Sequence, residues 1–430
     1  MFVRRSPGGA APKVLLLLIF VGLFVGFFVW KQNYGVIGRV DTLDVNTSGR
    51  IAFMSQDASG AVNLFMVNAD GSELKRLTDS KAGKRAPAWS PDGKSITYVE
   101  ESSSEGAPAY QVFLLGGGKP MQASYGSASK DLPFWRPDGK VVGYLAGGAV
   151  KIMAPNGSNI RQVYPPPHKG GADEHDQTQG QPTQPDDPGL KKPPVISYAW
   201  SPNGVALAAV QVTEGENAYA VGKASWWQPG ASTPDSGDAG MAVSEPEGVI
   251  VLPHPDAETP VLLAQAGRVG FSWFNDSKRL AVALTTSRHA SGIFVFRTDE
   301  KNLPAAPVLV SRGLTVAPEN PAVSPDNKLI AAELWRLDSE DDRTLLGLVV
   351  LPAEPSQPLY IETKAQIGKL KVLAADAHMP RWSPDGTRIL FWRNGPKGRD
   401  LWVCAADGSG AVNITKGAGD SFDAQWSPAK

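Results

Sequence analysis

Trp89-Ser90-Pro91-Asp92-Gly93 decides the reading of this chain, because the chain repeats it. Full or worn copies stand at Trp135-Arg136-Pro137-Asp138-Gly139, Trp200-Ser201-Pro202-Asn203-Gly204, Trp273-Phe274-Asn275-Asp276-Ser277, Val323-Ser324-Pro325-Asp326-Asn327, Trp382-Ser383-Pro384-Asp385-Gly386 and Trp426-Ser427-Pro428. Proline presets φ for the second position of a β-turn, aspartate bonds its own backbone, and glycine or asparagine accepts a left-handed conformation. Each copy therefore reads as a tight turn. Self-similarity at this period is the mark of a repeat fold.

A strand follows each turn. Counting from the first residue of each copy, the seventh positions are Ile96, Val142, Leu207, Leu280, Ile330 and Ile389, and two residues on stand Tyr98, Tyr144, Ala209, Val282, Ala332 and Phe391. This alternation predicts a half-buried strand in one register throughout. A second turn recurs in Asn68-Ala69-Asp70-Gly71-Ser72 and Ala405-Ala406-Asp407-Gly408-Ser409, with Asn156-Gly157-Ser158 as a weaker relative. Asp-Gly between alternating runs is a hairpin signal, so Leu64 to Val67 should pair with Leu74 to Thr78, and Leu401 to Cys404 with Ala411 to Thr415. Each repeat is a small antiparallel meander.

Successive copies lie 46, 65, 73, 50, 59 and 44 residues apart. A core unit near 44 residues holds four strands, the content of a propeller blade rather than of a helical solenoid unit. The longer intervals then carry insertions, near 165–194 and 213–247. Gly49-Arg50-Ile51-Ala52-Phe53 looks like a strand whose signature is missing, and Trp426-Ser427-Pro428 like a signature whose strand is missing. Docked together they complete one blade and leave no open edge. The expectation is an all-β, seven-bladed β-propeller over 49–430, closed by pairing of its terminal strands, with no room for a second globular domain.

Lysine and arginine total 42 against 43 aspartate and glutamate, and no basic stripe interleaves with aromatics, which argues against nucleic acid. The one cysteine, Cys404, occupies the place of Val67 in its repeat and reads as a small core residue. Arg4, Arg5 and Lys13 precede 17 uninterrupted apolar residues, Val14 to Trp30, about 25 Å of helix and just enough to cross a bilayer. The N-terminal segment then divides into a basic tail (1–13), a signal-anchor helix (14–30) and a linker (31–48). Positive charge upstream keeps the tail in the cytoplasm and places the propeller in the periplasm or at the cell surface. A cleaved signal, with Val36-Ile37-Gly38 as its weak cleavage site, would instead secrete the same domain.

The signature copies, together with Asn68-Ala69-Asp70-Gly71-Ser72-Glu73-Leu74-Lys75-Arg76-Leu77-Thr78, resemble the TolB-like, WD-like β-propeller repeat. That resemblance covers nearly all of 49–430 and implies an interaction platform. The chain departs from TolB in lacking a preceding α/β domain, in counting seven units rather than six, and in its N-terminal helix, so a place in the Tol system does not follow. The same repeat precedes serine hydrolase domains in oligopeptidases, but no Gly-x-Ser-x-Gly elbow is present here.

Five histidines exist, and His168 and His175 share a stretch with Asp173, Glu174 and Asp176. That stretch, 165–194, contains 8 Pro, 4 Gly and 4 Gln, a composition that holds no rigid ligand set, so no metal site is expected. Asp92, Asp138, Asp326 and Asp385 read as caps of their own turns rather than as a catalytic or calcium-binding ring, and the repeated tryptophans as packing between blades. Asn46, Asn275 and Asn413 each begin a glycan acceptor triplet. Tyr219, Trp226 and Trp227 stand in the Gly/Ser/Pro-rich insertion 213–247 and form the candidate partner-binding surface, since large aromatics are common binding anchors; the same rings could instead fold back over the channel mouth.

No catalytic, cofactor-binding or metal residue is assigned. The sequence points to a non-enzymatic platform for a protein or glycan partner, possessing no cofactor. The alternative is a lactonase- or cyclotransferase-like propeller enzyme with a metal at the central channel. Three or more convergent carboxylates or histidines there would distinguish the enzyme. A purely structural or sensory ectodomain is a third reading.

Overall fold

The structure, a computed structural model, describes residues 49–102, 108–165, 195–212, 247–252, 261–266, 268–285, 290–298, 305–312, 316–337, 343–368 and 370–428. The proposed anchor 14–30 and most of both insertions lie outside the described residues. Among those described, no helix is long and apolar enough to cross a membrane. Among the described residues the one α-helix is a single turn, Lys364–Ile367.

Among the described residues, seven sheets follow one another along the chain. Sheet 1 runs Asp420–Trp426, Arg50–Gln56, Val62–Asn68, Lys75–Arg76; sheet 2 runs Lys84–Trp89, Ile96–Ser102, Ala109–Leu115, Met121–Gln122. Sheet 3 is Lys130–Trp135, Val142–Ala146, Ala149–Met153, Arg161–Tyr164, and sheet 4 is Val195–Trp200, Leu207–Val212, Glu247–Leu252, Val261–Ala266. Sheet 5 is Arg268–Trp273, Arg279–Thr285, Ala290–Arg297, Ala306–Arg312, with Leu359–Ile361 added in parallel at its edge. Sheet 6 is Val316–Val323, Leu329–Leu337, Arg343–Pro352, Val372–Ala374, and sheet 7 is His378–Trp382, Arg388–Gly395, Gly398–Ala405, Val412–Asn413. The fold is all-β and fits a β-propeller.

Each signature ends the first strand of a sheet, and its polar atoms explain the turn. Ser90 Oγ donates to Asp92 Oδ1 (2.6 Å) and accepts from the amide of Ser95 (2.9 Å), while Asp92 Oδ1 accepts from Lys94 N (3.1 Å). Ser201, Ser324 and Ser383 repeat this with Asn203, Asp326 and Asp385. Left-handed backbone appears where expected, as at Gly386 (φ 72°) and Asn327 (φ 64°). The aspartates are turn caps. The buried serine that ties turn to strand carries as much of the motif as the aspartate does.

The last copy is completed by the other end of the chain. Arg50–Gln56 pairs antiparallel with Asp420–Trp426, Ile51 opposite Trp426 and Ser55 opposite Ser421. Ser427 N donates to Arg50 O (2.8 Å) and Arg50 N to Ser427 Oγ (3.1 Å), the same reciprocal pair that Ser90 makes with Ser95. Arg50 thus stands where the missing continuation of the signature would be.

The packing corrects one expectation. The strands after the signatures are buried on both faces: Ile96 and Tyr98 are fully buried, but so are Thr97 and, in other sheets, Ala208, Ala281, Ala331 and Leu390. Every sheet is sandwiched between two neighbours. Hydrophobic clusters fill each boundary from sheets 1 and 2 through sheets 6 and 7, and Leu390, Leu401 and Val403 of sheet 7 meet Ile51, Phe53 and Val67 of sheet 1. The small residues of the inner positions are what let neighbouring sheets approach on both sides.

The signature tryptophans pack at these boundaries, and four of the six also bond across them, whereas the buried indole N–H groups of Trp135 and Trp200 find no partner among the described residues. Trp89 Nε1 donates to Gln425 O (3.3 Å), Trp273 to Ala199 O (3.2 Å), Trp382 to Ala322 O (2.9 Å) and Trp426 to Arg381 O (3.1 Å). Each acceptor immediately precedes the signature of the sheet before. Where Val323 replaces tryptophan, its own amide donates to Ser272 Oγ (3.1 Å) and restores a link.

Inside a sheet, a hydroxyl on the outermost segment fastens it to the third strand. Thr78 Oγ1 accepts from Leu64 N (2.9 Å) and donates to Asn63 Oδ1 (3.0 Å), and Thr415 does the same with Leu401 N and Asp400 (both 3.0 Å). Deleting Trp426 to Lys430 removes the strand end, the serine pair and the Trp426 indole bond together. The truncated protein is expected to melt in one cooperative transition well below that of the whole chain; equal melting temperatures in differential scanning calorimetry would contradict the closure.

Candidate functional site at the inner strands

The first strands of successive sheets contact one another: Asp420–Trp426 with Lys84–Trp89, Lys84–Trp89 with Lys130–Trp135, Arg268–Trp273 with Val316–Val323, the latter with His378–Trp382, and this with Asp420–Trp426. They therefore line the middle of the arrangement. Their conformation is irregular in a repeated way. Three residues before the signature, Ala86, Leu132, Asn320, Met379 and Asp423 all have φ between 44° and 53°. The pairing register slips at the same place, for example between Arg85 and Ala88 and between His378 and Arg381. These are β-bulges, which bend a strand and re-aim its side chains. Non-glycine residues in this region cost about 1–3 kcal/mol each and persist only where the surroundings over-determine them. Pro87, Pro133, Pro321 and Pro380 follow four of them, and proline inside a strand marks an edge or a bulge.

The bulges are held by polar groups of neighbouring strands. Asp423 Oδ2 accepts from Ala86 N (2.9 Å), and Tyr198 Oη donates to Leu132 O (2.8 Å). At the boundary of sheets 6 and 7 the hub is Glu333, 2% exposed. It accepts from Asn320 Nδ2 (2.7 Å), Met379 N (2.8 Å) and Trp335 Nε1 (3.1 Å), and His378 Nδ1 lies 3.5 Å away. His378 stacks on Trp392 (centroids 3.8 Å apart, planes at 11°) and tilts against Trp335 (5.9 Å). Arg343 covers Trp335 (4.2 Å) and pairs with Glu319 (2.5 Å). Burial alone would push the Glu333 carboxyl up, but bonds from His378, Met379 and Asn320 outweigh it and hold the group below the usual carboxylate range.

The same strands expose large apolar side chains: Leu132, Phe134, Ile196 and Met379 are 38–48% exposed. Most charges beside them are matched. Arg85 makes a two-oxygen contact with Asp131 (3.0 and 3.1 Å). Arg381 is the exception, for its guanidinium makes no hydrogen bond or ion pair among the described residues. Arg381 is exposed. Desolvation draws its pKa down, while the charge of Asp423 draws it up; a guanidinium remains charged at physiological pH regardless.

Tyr219, Trp226 and Trp227 lie outside the described residues, as do His168, His175, Asp173, Glu174 and Asp176. Among the described residues no group of three His, Cys, Asp or Glu side chains could hold a metal. Cys404 is buried, and burial pushes its thiol up to about 11. The Glu333 hub was not legible in sequence, since its donors come from three strands; the prolines of the inner strands were the available signal for the bulges.

No family model matches the sequence. An uncharacterized peptidase, YuxL, of Bacillus subtilis is 41% identical over 56 residues, 13% of this chain and 8% of the relative. The curated relatives are matched over no more than 21% of their own length. Among solved structures, a Mycobacterium tuberculosis puromycin-hydrolyzing peptidase aligns with a TM-score of 0.50 at 12% identity, over 87% of this chain and 53% of that one. TolB from Acinetobacter baumannii aligns at 0.43 and 13% identity, over 90% and 68%. The likeness is one of fold.

Because the Glu333 pKa is depressed in the folded state, its carboxylate contributes stability above the usual carboxylate range, and that contribution fades as pH falls through the folded value. Glu333→Gln should cost about 1–3 kcal/mol at pH 7, the price of unmatched buried donors. The gap from wild type, read by urea denaturation, should narrow toward pH 3; a gap unchanged between pH 7 and pH 3 would contradict the assignment.

Proposed function

We propose that this protein is a seven-bladed, TolB-like β-propeller, anchored by a helix over 14–30 with the propeller outside the cytoplasm, and that it serves as a binding platform for a protein partner in the cell envelope. Supporting this reading is the exposure of Leu132, Phe134, Ile196 and Met379 on the inner strands, beside second strands that are buried on both faces. Apolar groups left open in the middle of a rigid scaffold are a binding surface more readily than a stability device. The insertion 213–247, with Tyr219, Trp226 and Trp227, supplies a second candidate contact on the same reading.

The test is an affinity pull-down from detergent extracts with three baits: the whole protein, a form lacking 213–247, and a Phe134→Ser, Met379→Ser form. A specific protein recovered by the whole chain and reduced severalfold by either change supports the platform. Failure of the whole chain to retain any protein above a tag-only control would overturn it.

A further inference from the structure

We infer that a cavity on the face of sheet 1 that meets sheet 7 binds a small uncharged ligand through an acetyl group presented on an amide, with Asn63 as the donor to its carbonyl oxygen. None of the exposed inner-strand residues lines this cavity, and the inference does not rest on the platform reading.

Phe53 pairs with Phe65 and Ser55 with Asn63 across the hairpin of sheet 1, so the four side chains share one face. Phe53 packs there with Leu390, Leu401 and Val403 of sheet 7. Toward the hairpin end this face holds a cavity of about 90 Å³ that all four line, with Ala61 beside them and exposed Asp57 and Leu74 at its mouth. Asn63 is 1% exposed, yet its Nδ2 has no hydrogen-bond partner among the described residues. Its orientation is fixed, because Asn63 Oδ1 accepts from Ser80 N (3.2 Å), which can only donate, and from Thr78 Oγ1 (3.0 Å), whose oxygen already accepts from Leu64 N. Sheets 2 and 7 repeat the arrangement with the second group matched. Gln111 Oε1 accepts from Ser124 while its Nε2 donates to Gly126 O (2.6 Å), and Asp400 Oδ1 accepts from Thr415 while its Oδ2 accepts from Asn413 Nδ2 (3.1 Å). In sheet 1 the described residues supply no such partner, and Asn63 lines the cavity instead.

The lining selects the ligand. A cavity of about 150 Å³ takes the six carbons of benzene, so this one takes about four non-hydrogen atoms. The inserted group is uncharged, because a buried ion needs a matched counter-charge, and the nearby charges are engaged: Arg76 pairs with Asp79 (2.7 Å) and bonds Thr78 O (2.8 Å), and Asp57 Oδ1 accepts from the amides of Ser59 (2.8 Å) and Ala61 (3.2 Å). A hydroxyl would bring its own hydrogen to side-chain oxygens already taken, Asn63 Oδ1 by two donors and Ser55 Oγ by Ser421 (3.3 Å). A carbonyl oxygen only accepts, as Asn63 Nδ2 requires. Phe53 and Phe65, with ring centroids 5.7 Å apart, and Leu74 offer an apolar wall to a methyl group. An amide N–H completes the match at the mouth, where Asp57 Oδ2 has no bond among the described residues.

Saturation-transfer NMR on the full chain in detergent tests the inference, with N-methylacetamide as probe and propan-2-ol and acetate as controls. Wild type should transfer saturation to the acetyl methyl of N-methylacetamide, more than to its N-methyl and more than to either control. Asn63→Asp keeps the acceptor for Thr78 and Ser80 but removes the donor, and should weaken binding about tenfold. Ala61→Leu fills the cavity from its wall, leaves the Asn63 bonds intact and should abolish binding; it carries the test should Asn63→Asp melt early. Competition by N-acetylglucosamine or by Nε-acetyl-lysine, and not by glucosamine or lysine, supports the site and tells a sugar from a peptide carrier. No transfer to N-methylacetamide on wild type, equal transfer to propan-2-ol, or transfer unchanged in both variants would overturn it, the cavity then holding water only. If the probe binds while the pull-down fails, this site stands and the platform falls.

Discussion

The antiparallel pairing of Arg50–Gln56 with Asp420–Trp426 is the constraint on which the rest of the structure depends. These segments are more than 360 residues apart in sequence, so bringing them together carries a loop-closure cost that nearby contacts do not. The return is large. It gives sheet 1 its first strand, completes the core against sheet 7, and supplies Gln425 O as acceptor for the Trp89 indole. Sheets buried on both faces have no stable isolated form, because an unpartnered neighbour would leave one whole apolar face in water. Stability is therefore a property of the complete series of boundaries rather than of any one repeat.

Much of this was written in the sequence. The signature, its turn, the strand seven residues on, and the complementarity of the two ends could be read because each rests on local chemistry: proline φ, aspartate bonds, positive φ, period-two alternation. What could not be read depends on neighbours. Alternation at Ile96 and Tyr98 predicted a wet opposite face, but Thr97, Ala208 and Ala331 show that a small or apolar residue at the intervening place fits a second neighbour just as well. The strand Leu359–Ile361, which crosses from the sheet 6 segment to pair in parallel with Ala306–Arg312, carries no repeat signal and accounts for part of the long interval before Trp382. Glu333 looked like an ordinary strand glutamate; only the fold brings Asn320, Met379 and Trp335 to it.

The bulged inner strands connect this architecture to function. A regular edge strand presents a uniform row of backbone groups, whereas a bulge turns selected side chains toward the middle and ties others to the next sheet. Ala86, Leu132 and Met379 have their backbone held by side chains of adjoining strands, Asn320 and Asp423 supply side-chain bonds across the same boundaries, and the positions around them expose Leu132, Phe134, Met379 and Arg381. The scaffold is thus rigid where the exposed groups are displayed, as binding without much reorganisation requires. The aromatic insertion of the sequence reading, with Tyr219, Trp226 and Trp227, belongs to the same proposal as a second possible contact.

Native-state hydrogen exchange read by mass spectrometry tests the closure most directly. Amides of Arg50–Gln56 and of Asp420–Trp426 should exchange together, at the slow rate of global unfolding and with the same dependence on denaturant, as two halves of one cooperative sheet do. Fast exchange of Asp420–Trp426, at the rate of a frayed terminus and independent of Arg50–Gln56, would contradict the account.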